Sequence, residues 1–111
     1  MTGNEYQALA MRTLNPKQSD RENLINGVMG LCGESGEVAD LVKKHLFHAH
    51  PLNREDMVKE LGDVAWYIAQ CAAALGIELD EILETNIEKL KKRYPDGFDT
   101  EKSIHRSADD T

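Results

Sequence analysis

Strand signals are missing from this chain: no run of alternating Val, Ile, Thr or Tyr lies between turn residues. A long apolar run is missing as well. The most apolar stretch, 64–77, is too short to cross a bilayer and contains Gln70. Glu5, Arg12, Lys17 and Asp20 break up the N-terminus, so no secretory signal is expected. Basic residues are the minority, 13 Lys and Arg against 20 Asp and Glu, for a net charge of −7. That balance speaks against a binder of nucleic-acid polymers or of anionic membrane surfaces. A small phosphorylated substrate stays open, because a metal reconciles acidic residues with an anion. Cysteine is nearly absent. Cys32 and Cys71 are too few for a disulfide framework and lack metal-site spacing. The expectation is two reduced thiols in the core of a cytoplasmic protein.

What is present is helical. At 111 residues, 41% of them hydrophobic and 30% charged, the chain reads as one soluble domain, 1–111. Thr2 with Glu5 forms a capping box and opens a short helix, about 3–14, that Asn15-Pro16 ends. Ser19 with Glu22 opens a second and longer helix, stopped by Pro51. Asn53 with Asp56 starts a third, with Gly76 placed for its C-terminal cap. A fourth runs from about Asp80 to Tyr94. Pro95-Asp96-Gly97 reads as a turn, and about 99–111 as a polar tail with one helical turn near Glu101. The architecture expected is all-α: a small helical bundle.

Two features break the helical pattern. Gly30, Gly33 and Gly36 sit inside the second helix, where each costs about 1 kcal/mol relative to Ala. Their i, i+3 spacing suggests that a backbone or ligand comes close there. The second feature is a pair of acid motifs, Glu34-x-x-Glu37 and Glu60-x-x-Asp63. At about 100° per residue, Glu34 and Glu37 border the apolar stripe set by Leu31, Val38 and Leu41. Glu60 and Asp63 border the stripe of Met57, Leu61, Val64 and Ile68 in the same way. Four carboxylates at the edge of a core repel one another and lose hydration. A hard divalent cation, Mg²⁺ or Mn²⁺, resolves that conflict. The plain alternative is two solvated faces carrying i, i+4 salt bridges.

The fourth helix favours the metal. Asn86, Lys89 and Arg93 line one edge of it, beside Leu83, Ile87 and Leu90, where phosphate oxygens need donors. Lys44 and His48 fall on the acid edge of the second helix and add donors there. His45, His48 and His50 form a short tract that a helix C-terminus explains better than zinc does. A carboxylate di-iron protein is disfavoured, since no histidine follows a glutamate by three residues. Trp66 points away from the acid edge, which suggests a subunit interface.

The stretches Gly33-Glu34-Ser35-Gly36-Glu37-Val38 and Lys59-Glu60-Leu61-Gly62-Asp63-Val64 resemble the signature of the MazG-like nucleotide pyrophosphohydrolases. The pattern is E-x-x-E, a spacer, here 38–59, then E-x-x-D. Asn86, Lys89 and the run from Arg93 to Phe98 look like that family's downstream segment. The resemblance implies an all-α bundle completed by oligomerisation, a homodimer or homotetramer. It implies cleavage of a nucleoside triphosphate between the α and β phosphates, in a house-cleaning role. Glu34, Glu37, Glu60 and Asp63 would then bind Mg²⁺, with Glu37 as the base. Asn86 would sit near the metal or ribose, Lys89 and Arg93 would hold phosphates, and Tyr67 would lie against the sugar. Tyr6 is the one aromatic before the acid helix that could meet the base. A non-catalytic helical interaction module, keeping a metal or nucleotide site, is the alternative.

Overall fold

In the computed structural model, residues 1–106 are described, and among them are five helices and no strand. They are α1 (Gly3–Met11), α2 (Asp20–Phe47), α3 (Arg54–Ala74), α4 (Leu79–Arg93) and α5 (Thr100–Ile104). The all-α expectation holds. The remainder of the polar tail, 107–111, lies outside the described residues.

The starts of the first three helices follow local chemistry. Thr2 and Ser19 each accept the backbone N–H three residues on, and Glu5 and Glu22 complete the two capping boxes. The Asn53 side chain accepts from the Asp56 N–H at 3.2 Å. The C-terminus of α3 is a Schellman turn. Gly76 takes φ 68°, its N–H meets the Ala73 carbonyl, and the Ile77 N–H reaches the Ala72 carbonyl.

Two helix ends differ from expectation. The first helix stops at Met11 rather than near residue 14, because the Thr13 hydroxyl donates to the Ala10 carbonyl at 2.7 Å and the backbone tightens into turns. The second stops at Phe47, short of Pro51. Ala49 adopts a left-handed conformation (φ 59°) there, and the His50 N–H turns back to the Lys44 carbonyl. The His45 ring donates to the His50 carbonyl at 2.9 Å and holds the reversal.

An antiparallel hairpin of α2 and α3 forms the backbone of the molecule, with α1 laid on α3, and α4 against α1 and α3. By helix rise, α2 is about 42 Å long and α4 about 22 Å, so α4 is too short to run the hairpin's length. The buried apolar residues are Ala10, Ala69, Ala72 and Leu79, all where α1, α3 and α4 meet. Elsewhere large apolar side chains are exposed, among them Met29, Leu46, Phe47, Leu61 and Ile87. The radius of gyration is 17.0 Å, against about 13 Å for a compact domain of this size. The chain is extended, and its core is small.

Residue type alone misplaced one thiol. Both cysteines are free, but Cys32 is exposed on the outer face of α2 while Cys71 is half-buried against it. Burial pushes the Cys71 thiol above its ordinary range. No helix among the described residues is long and apolar enough to cross a membrane.

Candidate metal and nucleotide site

The seam between α2 and α3 changes character along its length. Near the start of α2, Gln70 Nε2 donates to the Asn23 carbonyl at 2.8 Å and to Asn26 Oδ1 at 2.9 Å. At Gly27 a Cβ would press on Cys71 Sγ, and at Gly30 it would overlap the Tyr67 ring. Both glycines are therefore required for close approach of the two helices. The expectation of close approach holds at Gly30. At Gly33 and Gly36, however, a Cβ would meet nothing within 4 Å.

One turn beyond Gly30 the acids meet. Glu34 of α2 and Glu60 and Asp63 of α3 each place a carboxylate oxygen within 4.8 Å of the others. Glu34 and Glu60 are half-buried and Asp63 is exposed. Partial desolvation raises the Glu34 carboxyl above its ordinary range. The hydrogen-bonded Glu60 adds to this, followed by the charges of Asp63, Glu60 and Glu37. Glu37 lies outside the trio yet close enough for its charge to reach Glu34. Among the described residues this trio is the one group of three His, Cys, Asp or Glu side chains placed to share an ion, and no histidine belongs to it. All three are hard oxygen donors with a net excess of negative charge, the set that suits Mg²⁺ or Mn²⁺.

The other site residues of the sequence reading fall in three places. Tyr67 sits beside the trio, its ring lodged over Gly30 and edge-on to Trp66, centroids 5.1 Å apart. Lys44 is bound to Asp40 on its own helix at 2.9 Å, and His48 is the exposed C-cap of α2. Asn86 and Lys89 line a groove of about 420 Å³ together with Ile77, Glu81, Ile82 and Thr85. None of the acid trio lines that groove. Arg93, at the end of α4, has its guanidinium 5.8 Å from the centroid of the Tyr94 ring.

Two residues stand in relations that spacing could not show. Trp66 Nε1 donates to Thr13 Oγ1 at 2.9 Å and to the Ala10 carbonyl at 3.2 Å. The surface expected to be a subunit interface is instead covered by the α1 region of the same chain. Tyr6 of α1 feels the acid end as well: burial first, then the charge of Asp63, raises its phenol above the ordinary value.

Comparison with known proteins fits this geometry. The profile of the MazG nucleotide pyrophosphohydrolase domain matches residues 22–98, from the first turn of α2 to just past α4. The chain belongs to the MazG nucleotide pyrophosphohydrolase family. It is also similar to the Gene 37 protein of Mycobacterium phage L5, 42% identical over 80 residues, which is 68% of this chain and 70% of the phage protein. No solved structure matches. The matched region of this MazG domain contains the acid trio, Glu37 and all of α4, and leaves α1 outside.

Proposed function

We propose that this MazG domain hydrolyses nucleoside or deoxynucleoside triphosphates to the monophosphate and pyrophosphate, clearing unwanted nucleotides from the pool. The observation that carries the reading is the convergence of Glu34, Glu60 and Asp63 from two helices, inside the region shared with the family. These three, with Glu37, are the residues to hold Mg²⁺, and Mn²⁺ suits the same oxygen set. The bound metal supplies Lewis acidity toward the phosphate oxygens and a water of lowered pKa. Glu37 stands beside the trio and exposed, free to take the proton of the attacking water. Tyr67 borders the sugar. Lys44 and His48 lie farther along the acid edge as further donors toward the phosphates.

Asn86, Lys89 and Arg93 bring the remaining donors from α4, through a second copy of the chain. Two features support that assignment. The hairpin beyond Glu34 exposes Leu46, Phe47, Leu52, Val58 and Leu61, and α4 exposes Leu83 and Ile87. The last turns of α4 carry Lys89, Lys91, Lys92 and Arg93, opposite in sign to the acid trio. A homodimer or homotetramer covers both apolar faces and joins the two halves of the site.

The test is pyrophosphate release from a panel of NTPs and dNTPs, with Mg²⁺ and with EDTA, beside a Glu60→Ala control. Release that requires metal and is lost in the control is expected. A folded, oligomeric protein that releases no pyrophosphate from any nucleotide sinks the reading in favour of a binding module.

A further inference from the structure

The N-terminus of α4 lacks a cap of its own: Glu78, at the N-cap, makes no side-chain bond to the first turn. The donors of that turn are met from α1 instead. Gln7 Oε1 accepts the Leu79 N–H and Asn4 Oδ1 accepts the Asp80 N–H, both at 2.9 Å. The same two amides spend their other ends nearby. Gln7 Nε2 donates to the Ile77 carbonyl at 3.0 Å, and Asn4 Nδ2 donates to Glu78 Oε2 at 3.0 Å. Gly3 lets the helices touch, since a Cβ there would press on Asp80 and Leu83. At its other end α1 is held by Trp66, three residues past Asp63 on the acid helix. One short helix thus ties the acid helix to the start of the helix that bears Asn86, Lys89 and Arg93.

We propose that α1 is a clip that aims α4, and that Asn4 and Gln7 are positioning residues for the nucleotide site. The proposal rests on the pyrophosphohydrolase reading above and deepens it. The loop between Ala74 and Leu79 is four residues, enough to turn the chain but open to many directions for the next helix. Two bonds from α1 to consecutive N–H groups leave one direction. A few degrees of swing at Leu79 grow into ångströms at Lys89 and Arg93, which lie about 15–21 Å along the helix. Positioning errors of that size weaken substrate binding. Asn4 and Gln7 lie outside residues 22–98, the region that the family profile matches.

The experiment uses the full chain with Asn4→Ala and Gln7→Ala combined, at a concentration where its oligomer is intact. KM for the nucleotide is expected to rise about tenfold, with kcat and the Mg²⁺ midpoint little changed. Spin labels at positions 59 and 91, in a chain with Cys32→Ala and Cys71→Ala diluted into an excess of unlabelled chain so that only distances within one copy are read, are expected to report a shifted or broadened distance between α3 and α4. The exchange Asn4→Asp with Glu78→Gln reverses donor and acceptor in that pair while keeping the bond to the Asp80 N–H. It is expected to keep both the wild-type KM and the wild-type distance. An unchanged distance in the double alanine variant overturns the proposal, as does a shifted distance with unchanged KM. It also fails if kcat, metal affinity and Tm all fall together, since α1 is then only a structural support. A wild-type chain with no activity defeats the pyrophosphohydrolase reading instead, and the label distance still decides whether α1 aims α4.

Discussion

The two ends of the α2–α3 seam are built from the same pair of helices on opposite principles. At one end Gln70 is fully buried (0% exposed) and spends its donors on Asn23 and Asn26, while Gly27 and Gly30 admit Cys71 and Tyr67. That end is neutral and closely packed, and α1 covers the opposite side of α3. At the other end Glu34, Glu60 and Asp63 crowd together, with open space at Gly33 and Gly36. The contrast explains how three like charges are held within reach of one another. Their repulsion opposes folding, and the close contacts at the amide end offset it. On the proposed function, stability and chemistry are kept apart on one hairpin, so substitutions at its two ends should have opposite signatures.

The largest effect expected is on activity alone. Glu60→Gln keeps the side chain's shape and removes one of the proposed metal ligands and one charge. Loss of a residue beyond the ligands costs about 10–100-fold in metal affinity or activity, so loss of a ligand itself costs at least about a hundredfold. Tm without metal should stay level or rise, because a repulsive charge is gone. Pyrophosphate release and thermal melts on the same samples check both halves. A variant that loses Tm along with activity breaks the contrast, for the acid end is then part of what holds the fold.

Next comes Gly30→Ala, at the boundary between the two ends. A Cβ there overlaps the Tyr67 ring, and an aromatic ring wedged between helices gives way less easily than a flexible chain end. Overpacking costs about 1–3 kcal/mol, of which the better helix propensity of Ala returns about 1 kcal/mol. The rigid ring puts the cost toward the upper end of that range, so a net loss approaching about 2 kcal/mol by urea denaturation is expected. The displaced Tyr67 borders the trio, so activity falls too. A neutral Gly30→Ala would mean that the seam is looser than its contacts imply.

How much of the fold and of the candidate site is legible in the sequence depends on range. Thr2, Ser19, Asn53 and Gly76 announced their helix ends because capping joins residues two to five apart, and the acid edge emerged from a period of 3.6. The same period points Trp66 away from the acid edge, but it cannot say which surface it meets, and that surface is α1 and the turn after it. The bonds from Asn4 and Gln7 to the start of α4 span more than 70 residues and leave no periodic trace. Nor does periodicity tell Gly30, pressed by Tyr67, from Gly33, which faces open space; that difference arises where two helices cross. Free cysteine is so often buried that residue type places Cys32 in the core, whereas its face of α2 is exposed. The acid trio is legible as a motif, but spacing does not show that Asn86 and Lys89 line a groove on α4 to which none of the trio contributes.

A smaller effect follows from the protonation of the acid end. The Glu34 carboxyl lies above its ordinary value of 4.5 in the folded chain, through desolvation and its acidic neighbours. The folded state therefore holds this proton more tightly than the unfolded state does. Its contribution to stability is complete below the unfolded value and is lost as pH rises through the folded one. Wild-type Tm without metal should decline over that window relative to Glu34→Gln, which has no proton to lose. If Mg²⁺ binds the trio as proposed, it takes the place of the proton, and the rise in Tm on adding Mg²⁺ should be larger near pH 8 than near pH 5. A larger rise at the acidic pH would show that the ion binds elsewhere.

The smallest expected effect separates one chain from an assembly. Gly33 lies one turn past Gly30 on the same helix, yet a Cβ there meets no atom within 4 Å. In an isolated chain Gly33→Ala gains helix propensity and should stabilise by up to about 1 kcal/mol. The outer face of α2 nearby exposes Val28, Met29 and Cys32, which a second copy would cover. If that copy approaches closely at Gly33, the added methyl weakens the assembly even as it stiffens the helix. Denaturation at low protein concentration, beside sedimentation at high concentration, tells the two apart. Higher stability with an unchanged oligomer leaves Gly33 a solvent-facing glycine and moves the contact elsewhere on the hairpin. Higher stability with a dissociated oligomer places the contact over Gly33, the residue next to Glu34.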